Sequence, residues 1–265
     1  MPKPSFRRTA VRPTPARPWL AEAAVFLAVA FPAAGALGAL QPATGLPTDV
    51  LQLTQFGPTL GVAAVALGRP ARIRHRLAGA LPGPGQGSAA PALLFSGPLL
   101  VALAALAHLL LRGHLPFTDP ATLPAPFAVV AAAQLLGACG EELGWRCFLQ
   151  PLLRTRFGPL ASSITVGLLW GCWHVQVFAR SAPYAAGFLI ATVAMSVVLG
   201  LAQERLPANR LLLSGGFHAL VNLGMLLVLD EETGDTLPML LFALAATATA
   251  LPWALRPRAA RPALT

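Results

Sequence analysis

Between Gln134 and Arg156 the chain reads QLLGACGEELGWRCFLQPLLRTR, which places Glu141, Glu142 and Arg146 inside an otherwise apolar helical segment. An ionised side chain near the centre of a bilayer is unfavourable by about 2.5–3.5 kcal/mol on insertion scales. Three such groups need partners, and their presence points to a purpose. Glu142 and Arg146, four residues apart, lie about 40° from each other on a helix, the spacing at which a carboxylate and a guanidinium pair along one face. Glu141 points about 100° away from Glu142, towards the face shared by Gln134, Ala138 and Trp145, so its partner must come from another helix. A purely structural clasp would account for Glu142 and Arg146 and leave Glu141 unexplained.

Partners for Glu141 occur in two later apolar segments. WGCWHVQVF places Trp170 four residues before His174, and SGGFHALVN repeats Ser214, His218 and Asn222 at every fourth position. A carboxylate, two histidines and an asparagine at compatible depths permit hydrolysis. Glu141 would take a proton from water as general base, a neighbouring histidine would orient the nucleophile, and His218 and Asn222 would suit the oxyanion. Glu141, His174 and His218 also have the chemistry of a catalytic zinc ligand set, a divalent metal being a possible cofactor, although the HExxH spacing is absent. Cys147 or Cys172 beside His174 is read as a packing thiol, and His108, alone in its segment, as structural.

These residues must be positioned by a membrane domain. With 55% hydrophobic residues and 11% charged residues over 265 positions, the composition is that of an all-α, polytopic membrane protein. Apolar runs at 19–40, 50–68, 91–111, 126–153, 160–178, 184–202, 211–229 and 237–255 give a bundle of about eight transmembrane helices in one domain, 19–255, with the motifs in 134–222. The fourth run is long and is expected to bend near Pro151. Residues 1–18 are basic and proline-rich, a composition expected to be disordered, and 256–265 form a short basic tail. The Gly/Pro-rich stretch 79–91 reads as a linker.

Placing both termini in the cytoplasm puts 16 of the 19 Lys and Arg residues on that side, as the positive-inside rule requires. The net charge of +9 therefore reads as topology in a multi-pass protein of a bacterial plasma membrane, with the lipid bilayer as its surroundings. Nucleic acid is excluded as a partner because the arginines lack interleaved aromatics or a binding motif.

The three segments EELGWRCFLQPLL, WGCWH and FHALVN, in that order, resemble the motifs EExxxR, FxxxH and HxxxN of the CPBP intramembrane proteases, the family that includes the CAAX prenyl endopeptidases. The matching positions are Glu141, Glu142 and Arg146, then Trp170 and His174, then His218 and Asn222. Trp170 stands where Phe is usual, and Cys147 follows Arg146 where glycine is common. The resemblance implies an eight-helix fold with its site opening towards the cytoplasm. It implies Glu141 as the residue that activates water, His174 assisting it, and His218 and Asn222 at the oxyanion, with Glu142, Arg146 and Trp170 in support. The expected function is an intramembrane endopeptidase acting on a membrane-anchored or lipidated protein or peptide. The alternatives are a non-catalytic membrane scaffold or regulator, and a proton-coupled transporter that uses the same Glu and His residues.

Overall fold

The computed structural model describes residues 18–83, 87, 89–229 and 235–256. The basic tails therefore lie outside the described residues except for Pro18 and Arg256, as do Asp230, Glu231 and Glu232.

The described chain is helical, and each apolar run of the sequence forms one helix or successive helical pieces. The helices are α1 (Pro18–Thr44), α2 (Gly57–Gly68), α3 (Pro70–Arg76), α4 (Ala90–Arg112), α5 (Phe127–Glu142), α6 (Gln150–Arg154), α7 (Pro159–Trp173), α8 (Ala182–Gln203), α9 (Arg210–Val228) and α10 (Thr236–Leu255). Six segments are long and apolar enough to cross a membrane: α1, α4, the continuous stretch Phe127–Arg154, α8, α9 and α10. The runs at 50–68 and 160–178 become shorter helices extended by 3-10 turns, Leu53–Phe56 before α2 and Val175–Ala179 after α7. Local chemistry sets the boundaries. The Ser181 hydroxyl caps α8 by accepting from the Tyr184 N–H, Asp235 caps α10 by accepting from Leu237, and Gly113, at φ 73°, closes α4 in the left-handed conformation.

Neighbouring helices follow one another round the bundle. α7 packs on α8, α8 on α10, α10 on α4, α4 on α9, α9 on α5, α5 on α2 and α2 on α1. The segment Leu143–Leu149, between α5 and α6, lies inside this ring and touches α2, α7 and α9. It is a π-helical stretch in which Trp145, Arg146, Cys147, Phe148 and Leu149 are all fully buried. The departure from regular helix thus falls just before Pro151, whose missing N–H removes the bond that would return to Cys147. A π segment is a frequent accompaniment of functional sites because it re-aims side chains without ending the helix.

Three glycines bring α5 and the π stretch against the turn that opens α2. A Cβ on Gly140 would stand 2.9 Å from the Phe56 ring, and one on Gly137 or Gly144 would collide with Gln55 or Pro58. At the start of the stretch read as a linker, Asn209, Arg210 and Leu211 donate backbone hydrogen bonds to the carbonyls of Leu81, Gly79 and Ala80.

Candidate active site

α5 ends on the two carboxylates, α7 ends just before His174, and α9 carries His218 and Asn222 near its middle. The three helices bring all four proposed catalytic residues to one cavity of about 440 Å³, lined among others by Glu141, Trp170, His174, His218 and Asn222.

Glu142 and Arg146 form the intrahelical ion pair expected from their spacing, Nε to Oε2 3.3 Å, with both side chains fully buried. The other oxygen, Oε1, lies 2.9 Å from His218 Nδ1. Arg146 also sits under an aromatic face, its guanidinium carbon 4.5 Å from the centre of the Trp170 ring. Its terminal nitrogens find no hydrogen-bond acceptor among the described residues, so charge pairing and the ring face compensate its burial.

Glu141 is 2% exposed and does take its partner from another helix. The donor is Trp170, whose indole Nε1–H reaches Glu141 Oε2 at 2.7 Å. Sequence reasoning placed Trp170 among the supporting residues and overlooked this donor, which a phenylalanine at the same position would lack. With Oε2 engaged, Oε1 is the oxygen free to act on a ligand.

His174 leaves the end of α7 with φ −78° and ψ 64°, and its Nδ1 lies 2.9 Å from the Trp170 carbonyl. A carbonyl can only accept, so Nδ1 carries the hydrogen and Nε2 remains for water or substrate. The Trp173 and Phe188 rings stand edge-on at 4.8 and 4.9 Å and hold the imidazole in place. The Asn222 amide donates to Gln134 Oε1 at 3.2 Å, and Gln134 Nε2 in turn donates to the Asp49 carbonyl at 3.0 Å. Gln134 is therefore a positioning residue that sequence reasoning missed. The signal was available, because it lies two turns before Glu141 on the same face.

The three residues that zinc would use line one cavity, and each keeps one ligating atom uncommitted, Glu141 Oε1, His174 Nε2 and His218 Nε2, because Trp170 takes only Glu141 Oε2, the Trp170 carbonyl only His174 Nδ1 and Glu142 only His218 Nδ1. Among the described residues no three His, Cys, Asp or Glu side chains gather so that they could hold a metal ion. The three cysteines are free thiols, and His108 is buried beside His114 on α4 and its following turn, remote from the catalytic set in the sequence.

The cavity is blind. Its lining reaches no further than Glu141 in α5 and Met195 in α8, and begins at Trp170 in α7 and His218 in α9. Its mouth is formed by the connections at 48–55, 118–124 and 176–180. That face is opposite to the one carrying Arg69, Arg72, Arg74, Arg76, Arg154, Arg156, Arg205 and Arg210. Termini in the cytoplasm and a cavity opening to the cytoplasm, both expected from the sequence, therefore exclude one another in this fold.

The region 123–224, which contains Gln134, Glu141, Glu142, Arg146, Trp170, His174, His218 and Asn222, matches the family described as type II CAAX prenyl endopeptidase, Rce1-like. The match covers less than half of the chain. A CAAX prenyl protease 2 of Methanococcus maripaludis is 29% identical over 121 residues, covering 40% of this chain and 44% of that protein. A lysostaphin resistance protein A of Staphylococcus epidermidis is 27% identical over 118 residues, covering 44% of this chain and 31% of that protein. One from Staphylococcus aureus is 26% identical over 117 residues, covering 43% and 27%. The chain thus spans less than half the length of each of these curated relatives.

Proposed function

We propose that the Rce1-like region is the catalytic centre of an intramembrane endopeptidase that hydrolyses a peptide bond of a membrane-associated protein. The observation that carries the reading is Glu141 at the floor of the cavity: one oxygen is fixed by Trp170, the other is free, and the unprotonated Nε2 of His174 is available in the same cavity.

Water placed between Glu141 Oε1 and His174 Nε2 would give its proton to the carboxylate as its oxygen attacks the scissile carbonyl carbon. The carboxyl then returns that proton to the leaving nitrogen as the C–N bond breaks, so that one group serves as base and then acid. The developing oxyanion needs donors. Asn222 has a second amide hydrogen beyond the one directed at Gln134, and His218, whose Nδ1–H is committed to the Glu142 carboxylate, donates from Nε2 when it is the imidazolium. Such fixed donors act on the charge as it forms. Glu142 and Arg146 support the set from beneath. The nucleophile in this reading is glutamate-activated water with no metal.

The test is cleavage of a quenched library of lipidated and unlipidated peptides by the purified protein in detergent, with Glu141→Gln and a strong chelator in parallel. Cleavage that survives chelation and disappears in the variant supports the proposal. Loss on chelation that zinc restores would assign the chemistry to a metal, and equal cleavage by parent and variant would remove Glu141 from the mechanism.

A further inference from the structure

We infer that the cavity is loaded from the side of the membrane opposite to the cytoplasm, so that its substrate is a polypeptide segment exposed on the extracytoplasmic face of the bilayer. The second half of this statement rests on the endopeptidase reading; the first does not.

Two independent observations meet here. The first is geometric: polar side chains of three connections, Thr48 and Gln52, Thr118 and Thr122, and Gln176 and Arg180, frame the mouth. Below the site the protein is closed. Trp145, Phe148, Leu149 and Leu152 follow the catalytic carboxylates towards the other face and have no exposed surface. The second is electrostatic. The short connections of the closed face hold eight arginines, whereas the mouth side holds Arg112 and Arg180 together with Asp49, Asp119 and Asp235. Lys and Arg close to membrane spans are retained in the cytoplasm, and it is their number, not net charge, that sets orientation. Eight against two places the closed face inside and the mouth outside.

The arginine-rich face is also built as a fixed surface. Arg69, Arg72 and Arg76 converge on Glu22 at 3.0, 3.0 and 2.7 Å, and Arg154 makes two bonds to Glu204 at 2.6 and 2.8 Å. A peptide approaching from the cytoplasm would meet these ion pairs and the packed residues above them, and would find no opening to Glu141 among the described residues. A translocated or membrane-anchored protein with an extended segment next to the outer surface meets the polar rim directly. Beyond the rim the walls turn apolar, with Phe188, Met195, Val221, Met225 and Phe242, which suits a segment carrying hydrophobic side chains.

Single cysteines introduced at the rim, Gln52→Cys and Thr122→Cys, and on the arginine-rich face, Arg74→Cys and Arg156→Cys, test the orientation in intact cells. The probe is a membrane-impermeant maleimide, and the parent chain with its own three cysteines is the blank. The rim positions are expected to label without permeabilisation, and Arg74→Cys and Arg156→Cys only after it. The reverse pattern, or equal labelling of both faces in intact cells, overturns the inference. Two rim and two opposite positions on separate connections keep the result readable if one variant misfolds. Labelling needs no catalysis, so a protein that cleaves nothing leaves the orientation standing while the endopeptidase reading falls. Reporter peptides tethered by a transmembrane helix to one face or the other then test the substrate. Cleavage of the outer reporter alone, lost in Glu141→Gln, is expected; cleavage of the cytoplasmic reporter alone overturns the assignment.

Discussion

At the scale of single residues, the site depends on which oxygen of Glu141 is restrained. Glu141→Gln removes the base and is expected to lower kcat about 10²–10⁴-fold, read with the quenched peptide. Trp170→Phe is the more discriminating change: it keeps an aromatic ring over Arg146 but deletes the hydrogen bond to Glu141. A bond to a charged acceptor is worth about 1.5–3 kcal/mol, so a loss of roughly 10–100-fold in kcat with little change in KM is expected in the same assay. A purely structural role would instead lower the melting temperature and leave the remaining folded fraction fully active. The Glu142–Arg146 pair was legible because both residues lie on one helix at a fixed spacing. The Trp170–Glu141 bond was not, because it depends on how α7 is rotated against α5, which spacing along a single helix does not encode. His218 shows the same limit. Its depth was readable, whereas its bond to Glu142, which leaves just one ring nitrogen for substrate, needed the packing of α9 on α5.

At the scale of elements, the eight apolar runs were legible because a bilayer demands long stretches of internally hydrogen-bonded apolar chain. Which of them would be full spans was less so: the runs at 50–68 and 160–178 divide into a short helix and a 3-10 turn, and the second break is what sets His174 at the end of α7. The π stretch has no compositional signature beyond the proline that follows it. Its placement depends on Gly144 meeting Pro58 and Phe26. Gly144→Ala is expected to destabilise the protein by about 1–3 kcal/mol, the usual cost of adding a methyl where there is no room for it, and to reduce cleavage by displacing Arg146 from Trp170. Thermal unfolding in detergent measures the first effect, and peptide turnover well below the new midpoint measures the second.

At the scale of the whole molecule, Glu22, a carboxylate within the apolar run 19–40, is the anchor of one face. Buried at 2% exposure, it ties α1 to the arginines that end α2 and line α3. The arginines keep partial access to water, so Glu22→Gln is expected to cost about 1–2 kcal/mol, at the low end for hydrogen bonds to charged groups; a lower melting temperature with unchanged peptide selectivity would show it. The blind cavity, finally, makes the protein an asymmetric insulator. Were water to fill the cavity as far as Glu141, with packed side chains beyond, the membrane voltage would fall mainly across the sealed half, where an ion would meet about 2.3 kcal/mol per charge for every 100 mV. A proton passing between Glu141 and the mouth crosses little of that field. Vesicles holding the protein should therefore carry no added current, and peptide turnover in them should be indifferent to an imposed potential.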